Sequence, residues 1–329
     1  MSTRNPDSLR QVDPVLTNLA LAYNPDGFIA DQIAMNIDVP KNAGQYPTWD
    51  LGAFFRDEVE SQVDQRAPTP EIDADYSWND YLLKSRRLKV TITEEERWEG
   101  EAALRLEEQK IRLLKSRFAL QRERRLAAKL RKTTNGGLLT LGAAPSNNWN
   151  VDAATIETDI KTGRKAVRDA TGQLVDTIIM DWAVAYEIAL QQDIRDIVKY
   201  TVNGSDIIEL GDRLLPKTLH GLNVVIAGAG NMYNTAKKGA SNSLSSVWSD
   251  NVILVKRGED GRWGEPATVY NLRGQVNGSR PSPSGEPGYV LVDRWTTDDP
   301  PVDNIRMWEK VEEKVVAPDV GYEIASVLS

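Results

Sequence analysis

The sequence predicts an α+β protein built around one very long helix, and three observations lead to this prediction. Residues 94–132 contain no proline and only one glycine, Gly100, so they predict a helix of about 60 Å at ~1.5 Å per residue. In residues 88–92, apolar and polar side chains alternate as in a strand that leads into this helix. Beyond residue 137, short apolar segments alternate with helical ones. A helix this long exceeds what a compact enzyme core needs.

Residue types mark both ends of the long helix. Thr93 can cap its first turn, where acidic residues 94–96 complement the helix dipole, and Gly136-Gly137 ends it. Residues 94–109 contain seven acids and two arginines, whereas residues 110–132 contain ten bases and one acid, Glu123. The helix is either a solvated cover for its own domain or an assembly element, and charge alone does not decide between them. Its apolar residues are Leu104, Leu106, Ile111, Leu113, Leu114, Phe118, Leu120, Leu126 and Leu130.

Composition excludes several classes of protein. The 329 residues have the apolar and charged fractions of a globular chain, with a net charge of -8 and no cysteine. The chain therefore has no disulfide framework and no thiolate chemistry. No apolar run approaches the ~20 residues that span a bilayer, and the polar N-terminus is unlike a signal peptide. The acidic balance argues against a general nucleic-acid binder.

The segments before the long helix have little core of their own. Residues 1–44 are proline-punctuated and predict an extended arm with a short helix at 15–23. Residues 46–80 contain nine acids, two arginines and no lysine, and we expect them to form a protruding hairpin or loop.

The segments after the long helix predict a mixed domain. We expect helices at 152–170 and 182–200, with a buried strand at 177–180 between them. Further strands are expected at 221–227, 247–256 and 289–294, with a glycine- and proline-rich loop at 274–288. Strands at 304–316 and 322–327 should close the chain and pair with a distant element.

Patterns typical of catalysis or cofactor binding are weak in this chain. A catalytic triad would depend on its one histidine, His220, which lies at the mouth of a strand. The segment at 224–230 resembles a strand leading into a dinucleotide loop, but Tyr233 stands where the third glycine is required. The pair Asp298-Asp299 lies in a proline-flanked turn without a ligand-loop pattern. We therefore expect no catalytic residue, cofactor site or metal site.

The order of these segments resembles that of the major capsid proteins of tailed double-stranded DNA bacteriophages, which have the Hong Kong 97-type fold. The closest local likeness is the helix, spacer and apolar strand that end at Asp181-Trp182. A second is Gly221-Leu222-Asn223-Val224-Val225, where Asn223 replaces the proline usual in the family. The resemblance covers almost the whole chain, and it depends on the order and spacing of the segments.

The resemblance implies an N-terminal arm at 1–45 and an extended β-hairpin loop at 46–93. It implies a peripheral domain with the spine helix at 94–151, an axial domain at 152–300, and closing strands of the peripheral domain at 301–329. The implied function is structural, since family members assemble through hexamers and pentamers into an icosahedral shell around double-stranded DNA. The candidate interface residues are Trp49, Phe54, Phe55, Arg56, Arg66, Tyr76, Trp78, Tyr81, Arg117, Arg122, Arg124 and Arg125.

Two expectations concern the loop. Because residues 50–80 contain no lysine, the lysine–asparagine crosslink of some relatives is not expected. The acidic loop should instead lie over the basic half of a neighbour's spine helix, with Arg117, Arg122, Arg124 and Arg125 as partners. The alternative directs these arginines to DNA phosphates.

The resemblance also implies partners in assembly and leaves alternative functions open. Portal and scaffolding proteins and a decoration protein are expected, with no membrane partner, and the virion would assemble in the host cytoplasm. The absence of a long helical extension before the arm indicates a separately encoded scaffolding protein. The alternatives are an encapsulin-type compartment, a nucleotide-binding enzyme built on residues 152–300, and a coiled-coil scaffold, which an irregular heptad register disfavours.

Overall fold

Two six-stranded sheets and a long helix organise the chain. The computed structural model describes residues 11–23, 25–49, 55, 57, 76–99, 103–151, 155–192, 215–228, 230–258, 266–276, 289–298 and 301–329. The helices are α1 (Pro14–Ala22), α2 (Ala30–Ile33), α3 (Glu94–Glu99), α4 (Ala103–Lys129), α5 (Ile156–Thr171) and α6 (Trp182–Leu190).

The first sheet, which we call the peripheral sheet, has the order β1-β14-β15-β13-β2, and β5 also pairs with β15. The first half of the long β15 lies between β14 and β5, and its second half pairs with β13. Buried residues of this sheet, such as Ile305 and Met307, pack with Phe118 of α4. Its strands are β1 (Gln11–Val12), β2 (Met35–Val39), β5 (Ser85–Thr93), β13 (Val269–Gly274), β14 (Val290–Asp298) and β15 (Pro301–Val315).

The second sheet, which we call the axial sheet, has the order β6-β16-β12-β7-β9-β8. Helix α5 packs on it so closely that a Cβ atom at Gly163 would lie 2.8 Å from Leu254 and from Tyr322. All four residues of β7 and all four of β12 are buried, as expected for central strands. The strands are β6 (Leu141–Ala143), β7 (Thr177–Met180), β8 (Thr218–Leu219), β9 (Leu222–Ile226), β12 (Val252–Val255) and β16 (Tyr322–Ile324).

Two hairpins complete the described chain. Strands β3 (Ala43–Trp49) and β4 (Tyr76–Leu82) pair antiparallel and form the base of the predicted acidic loop. Strands β10 (Met232–Asn234) and β11 (Leu244–Ser246) form a short exposed ribbon.

The long helix and its limits largely agree with the prediction. Thr93 and Glu96 form a capping box, in which the Glu96 amide donates to the Thr93 hydroxyl at 3.1 Å. Helices α3 and α4 occupy most of 94–132, and residues 100–102 between them lie outside the described residues. At the far end α4 stops at Lys129, before the predicted glycines, and a 3₁₀ turn follows at Thr133–Asn135. Gly136, with φ +81°, ends that turn, and a Cβ on Gly137 would lie 2.0 Å from the Arg131 carbonyl oxygen. Both positions therefore require glycine.

The N-terminal segment differs from the extended arm that we expected. Helix α1 packs with α4 and β14, and Leu16 and Ala20 are buried there. The residues of α2 join the core between α4 and the axial sheet, and β2 is a parallel partner of β13. Enough apolar residues lie between the prolines for this segment to bury them against its own chain.

Three other expectations need correction. Helix α6 ends at Leu190, where Gln191 turns to an extended conformation, so the predicted helix at 182–200 is interrupted, and residues 193–200 lie outside the described residues. Sheet membership also crosses the predicted domain boundaries: β13 and β14 pair beside β15 in the peripheral sheet, although 152–300 was assigned to the axial domain. Strands β6 and β16, assigned to the peripheral domain, lie in the axial sheet. Pairing between distant segments decides sheet membership, and local hydrophobic pattern does not encode it.

Candidate assembly surface around the long helix

A buried carboxylate at Glu123 joins three parts of the chain. Its side chain is fully buried in α4 and accepts hydrogen bonds from the Ala30 amide at 2.8 Å, the Asn231 amide group at 2.8 Å and the Trp248 indole at 2.7 Å. The Ile29 amide donates to it as well, at 3.2 Å. The first turn of α2, the segment before β10 and the segment before β12 thus meet at one side chain.

Glu123 is held in a strongly desolvated position. Burial raises the pKa of its carboxyl group, while the four donor groups oppose that shift. Sequence reasoning did not select this residue, although it is the one acid among the ten bases of residues 110–132. A single charge of opposite sign inside a basic helical segment was the available signal.

Most of the basic half of α4 is neutralised inside its own chain. Arg122 lies 2.8 Å from the Asp31 carboxylate, and Arg125 lies 2.8 Å from the fully buried Glu313 on β15. Lys129 lies 2.8 Å from Glu312. Arg122 and Arg125 therefore already have carboxylate partners in their own chain. These ion pairs compete with the expected contacts to a neighbour's loop.

A buried lysine extends the charged layer between α4 and the peripheral sheet. Burial lowers the pKa of the Lys115 ammonium group, and the nearby Glu309 carboxylate opposes this shift. Burial also raises the pKa of the Tyr289 hydroxyl in the same layer. These groups fix the helix on the sheet by charge as well as by apolar packing.

The C-terminal end of α4 is fixed on the axial sheet through Glu323 of β16. This buried carboxylate accepts from the Lys132 amide at 2.6 Å and from the Asn135 side chain at 2.9 Å. Arg131 lies 3.3 Å from it. The long helix therefore bridges the two sheets, and a carboxylate on each sheet receives its basic side chains.

Two of the four predicted arginines remain at the surface. Arg117 and Arg124 are exposed, and neither has an ion pair within the described parts of the chain. Arg124 lies over the Tyr233 ring, with its guanidinium carbon 4.3 Å from the ring centroid. Beside it is a cavity of about 270 Å³ between α4 and the β10–β11 ribbon, also lined by Arg131 and Trp248.

The structure separates the other candidate residues by environment. Trp78 and Phe55 are exposed, at 55% and 64%, and the Phe55 ring lies against Gly172 at the end of α5. Tyr81 is buried with Tyr46 in a core cluster that includes residues of β2 and β13, so it needs no neighbouring subunit to cover it. Trp49 and Tyr76 occupy paired positions at the end of β3 and the start of β4. Phe54, Arg56 and Arg66 lie outside the described residues.

The glycines that resembled a dinucleotide loop have a packing role. The strand β9 is followed by β10 and not by a helix, so the loop lacks the helix dipole that would meet a pyrophosphate. A Cβ on Gly228 would lie 2.5 Å from the Gly27 Cα atom, and the Gly228 amide donates to the Gly27 carbonyl at 3.1 Å. Glycine at 228 lets the N-terminal segment approach the axial sheet.

The histidine occupies a tight turn. His220 and Gly221 connect β8 to β9 with φ values of +48° and +79°, as in a type I′ hairpin turn. Burial lowers the pKa of the imidazole, and the backbone carbonyl accepts from Arg164 at 2.6 Å. A conformational role therefore explains this residue.

Two searches of the described residues gave negative results. No group of three or more histidine, cysteine or acidic side chains is placed to hold a metal ion in the described part of the chain. Over the same residues, no helix has the length and apolarity that crossing a membrane would require.

Comparison with solved structures identifies the fold. A phage-related protein from Bordetella bronchiseptica superposes with a TM-score of 0.67 at 17% identity, covering 97% of this chain and 98% of its own. The capsid protein of the cyanophage P-SCSP1u superposes with a TM-score of 0.56 at 12% identity, covering 94% of this chain and 90% of its own. The chain has the Hong Kong 97-type capsid fold. The predicted α+β class and family resemblance are therefore confirmed.

A curated relative supports the same assignment over the full length of the chain. The major capsid protein of the Burkholderia phage BcepMu is 23% identical over 330 residues, which cover 97% of both chains. No protein-family model matches the sequence. Helix α4 lies within residues 94–151, and β3 and β4 flank residues 50–75 of the predicted extended loop.

Proposed function

We propose that this chain is the major capsid protein of a tailed phage, which assembles through hexamers and pentamers into an icosahedral shell around double-stranded DNA. The observation that carries the proposal is the agreement in fold over nearly the whole length of chains from phage capsids. The role is structural and not enzymatic. The protein would reside in the virion capsid after assembly in the host cytoplasm, with portal, scaffolding and decoration proteins as partners.

The domain organisation we propose follows the two sheets. The spine helix and the peripheral sheet form the peripheral domain, and the axial sheet with α5 and α6 forms the axial domain. The loop above the β3–β4 hairpin extends toward a neighbouring subunit. Heterologous contacts of this kind close into rings when the rotation between subunits allows it.

The contact we propose for the loop is the exposed part of the spine helix of a neighbour. The sequence of 46–80 has nine acids and two arginines, and Arg117 and Arg124 are exposed on α4. Their charges are complementary, although each exposed pair contributes only about 0.2–1 kcal/mol and is screened by salt. Trp49, Phe54, Phe55, Arg56, Arg66, Tyr76 and Trp78 are the proposed contacts on the loop side.

Electron microscopy combined with analytical ultracentrifugation tests the proposed function directly. The chain is expressed alone and together with its neighbouring genes. We expect capsomers or closed shells tens of nanometres across. Many weak contacts between subunits favour such assemblies as the protein concentration rises. A monodisperse monomer or dimer under every condition would contradict the proposal.

The contents of the shell distinguish the second candidate function. An encapsulin compartment uses the same fold, so shell formation alone does not separate the two. Nuclease-protected double-stranded DNA inside the particle supports the phage capsid. A co-purified cargo enzyme without DNA would identify a compartment instead.

A further inference from the structure

Trp98 is the most exposed of the large apolar side chains in the described residues, with 89% of its surface accessible. It lies on α3 beside Glu94 and Glu95, which are also exposed. Neither of these glutamates has an ion pair among the described residues. An indole that remains in water loses the free energy that burial would provide, about 25 cal/mol per Å² of apolar surface. A single exposed apolar residue does not by itself require a partner, but tryptophan is among the residue types that dominate the energetics of protein interfaces.

The turn that carries Trp98 is held rigidly. The capping box of Thr93 and Glu96 fixes its first residues. Arg97 forms ion pairs with Asp303 of β15 and with Glu107 of α4. The backbone that carries Trp98 is therefore anchored, so less conformational entropy is lost on binding than for a residue on a free loop.

A surface of complementary chemistry lies on the peripheral sheet, and we call it the cation–aromatic ladder. Arg306 lies over two tryptophan rings, 4.2 Å from the Trp308 centroid and 5.3 Å from the Trp295 centroid. Arg87 lies 3.9 Å from the Trp308 centroid, and the Lys89 ammonium lies 5.8 Å from the Trp295 centroid. Three cations thus alternate with two indoles across β5, β15 and β14.

The ladder carries an excess of positive charge. The Asp293 carboxylate accepts from Arg306 at 3.0 Å and from the Trp308 indole at 3.2 Å. Arg87 and Lys89 are exposed and have no ion pair among the described residues. Tryptophan and arginine are the residue types most enriched in the energetic centres of protein interfaces.

Trp98 and the ladder of one chain are anchored on opposite faces of the same sheet. Asp303, which holds Arg97, lies on the face of β15 that carries the buried Ile305 and Met307, because alternate residues share a face. Arg306 and Trp308 lie on the other face. Complementary surfaces arranged in this way can meet head to tail between copies, as a closed ring requires.

We propose that Trp98 and its flanking glutamates dock on the cation–aromatic ladder of a second copy of this chain. The indole would pack beside Trp295, Trp308 and the guanidinium planes, and Glu94 and Glu95 would meet Arg87 and Lys89. This contact rests on the proposed shell function and specifies one surface on each of two neighbouring subunits. It is separate from the contact between the loop and the spine helix.

The test compares assembly of the full chain with that of Trp98→Ala over a range of concentrations, by sedimentation velocity and electron microscopy. The concentration needed for assembly should rise about tenfold or more, as expected for loss of a central tryptophan in an interface. The double variant Arg87→Glu/Lys89→Glu should be impaired as well. Assembly should recover when this variant is combined with Glu94→Lys/Glu95→Lys.

Controls separate docking from folding and from the proposed function. The unassembled Trp98→Ala subunit should keep its melting temperature, and Val15→Ala, at a site 72% exposed on α1, should assemble normally. Normal assembly of Trp98→Ala would overturn the contact and leave the shell function intact. The contact would also be overturned, and the shell function left intact, if Trp98→Ala assembled but lost DNA or a separately encoded partner. A wild-type chain that never assembles would overturn both the docking contact and the proposed shell function.

Discussion

At the scale of single residues, the structure is most dependent on Glu123. Four donor groups from three separate segments converge on one buried carboxylate. Because burial raises the pKa of this group, its favourable contribution is fully present below the unfolded value of about 4.3 and is lost as pH rises through the folded pKa. Glu123 therefore stabilises the subunit most in acid.

We expect Glu123→Gln to change the dependence of stability on pH. The amide nitrogen of glutamine would face a donor, as the hydroxyl of the protonated acid does, so the variant should lie within about 1 kcal/mol of wild type at about pH 4. The wild type should then become less stable relative to the variant as pH rises, since only the wild type loses stability by ionisation. Urea unfolding of the unassembled subunit between about pH 4 and about pH 8 measures this difference. A wild type that gains stability relative to the variant as pH rises would contradict the pKa direction.

The second residue-scale prediction concerns His220. Its φ of +48° suits asparagine, which tolerates the left-handed region, and disfavours valine. His220→Asn should leave stability within about 0.5 kcal/mol of wild type, whereas His220→Val should cost about 1–2 kcal/mol. Thermal unfolding of both variants measures this. Loss of assembly in a normally stable His220→Asn subunit would reveal a role beyond the turn.

The sequence predicted the roles of some single residues correctly and those of others incorrectly. It recognised Thr93 as a cap, because capping depends on local backbone geometry. It placed the end of the long helix at the glycines 136–137, whereas α4 ends at Lys129 and Gly136 ends a separate 3₁₀ turn. It assigned Arg122 and Arg125 to a neighbour, since the carboxylates that receive them come from Asp31 and from residues 312–313, far away in the sequence. Helical charge alone does not say which side of a helix will be covered.

At the scale of elements, the contact between the N-terminal segment and the axial sheet depends on two backbones that lie close together. Gly228→Ala would place a Cβ atom 2.5 Å from the Gly27 Cα atom, and backbone cannot move away as a side chain can. We expect a loss of about 1–3 kcal/mol from the resulting overpacking. Thermal or urea unfolding measures it.

The matched control is Gly230→Ala. The nearest atom to a Cβ at that position is the Asp26 carbonyl oxygen at 3.8 Å, an ordinary van der Waals contact. This variant should retain stability within about 0.5 kcal/mol. Equal losses in both variants would indicate that glycine flexibility, and not close approach, is what the segment requires.

Elements with strong local periodicity were predicted, and those defined by distant partners were not. The spine helix, β5, β7 and β9 follow from their own residue patterns. Strand β2 and helix α2 were included in the predicted extended arm, although Met35, Ile37 and Val39 alternate with polar residues as in a strand. Their burial depends on β13 and α4, which follow much later in the chain.

At the scale of the whole molecule, charge complementarity between copies should appear in the salt dependence of assembly. Arg117→Glu/Arg124→Glu should weaken shell formation and reduce its sensitivity to added salt, because exposed ion pairs are screened. Light scattering across a salt series measures both effects. The stability of the subunit should remain unchanged, since both side chains are exposed.

A control with the same change in charge is Arg105→Glu/Lys165→Glu, at two exposed side chains without an ion pair among the described residues, which should assemble more nearly as wild type does. Unchanged assembly and salt response in Arg117→Glu/Arg124→Glu would rule out the loop contact. Intact empty shells with a defect limited to packaged DNA would assign these arginines to phosphate instead.

The fold class and the family resemblance were predictable because they depend on the order of elements along 329 residues. The division into domains was harder to predict. The end of the chain supplies strands to both sheets: β15 lies in the peripheral sheet and β16 in the axial sheet. A boundary drawn in sequence cannot represent a chain that passes three times between the two sheets.

The parallel pairing of β2 with β13 has a consequence for synthesis on the ribosome. The Asn36 and Asn271 side chains, hydrogen-bonded at 2.6 Å, are 235 positions apart. At ~5–20 residues per second, the ribosome needs roughly 10–50 s to make the partner of a strand that has already emerged. Strand β2, although translated early, is therefore among the last strands of the peripheral sheet to be placed. During that interval the edge of β2 is unpaired. It can therefore pair with a strand of another nascent copy unless a chaperone covers it.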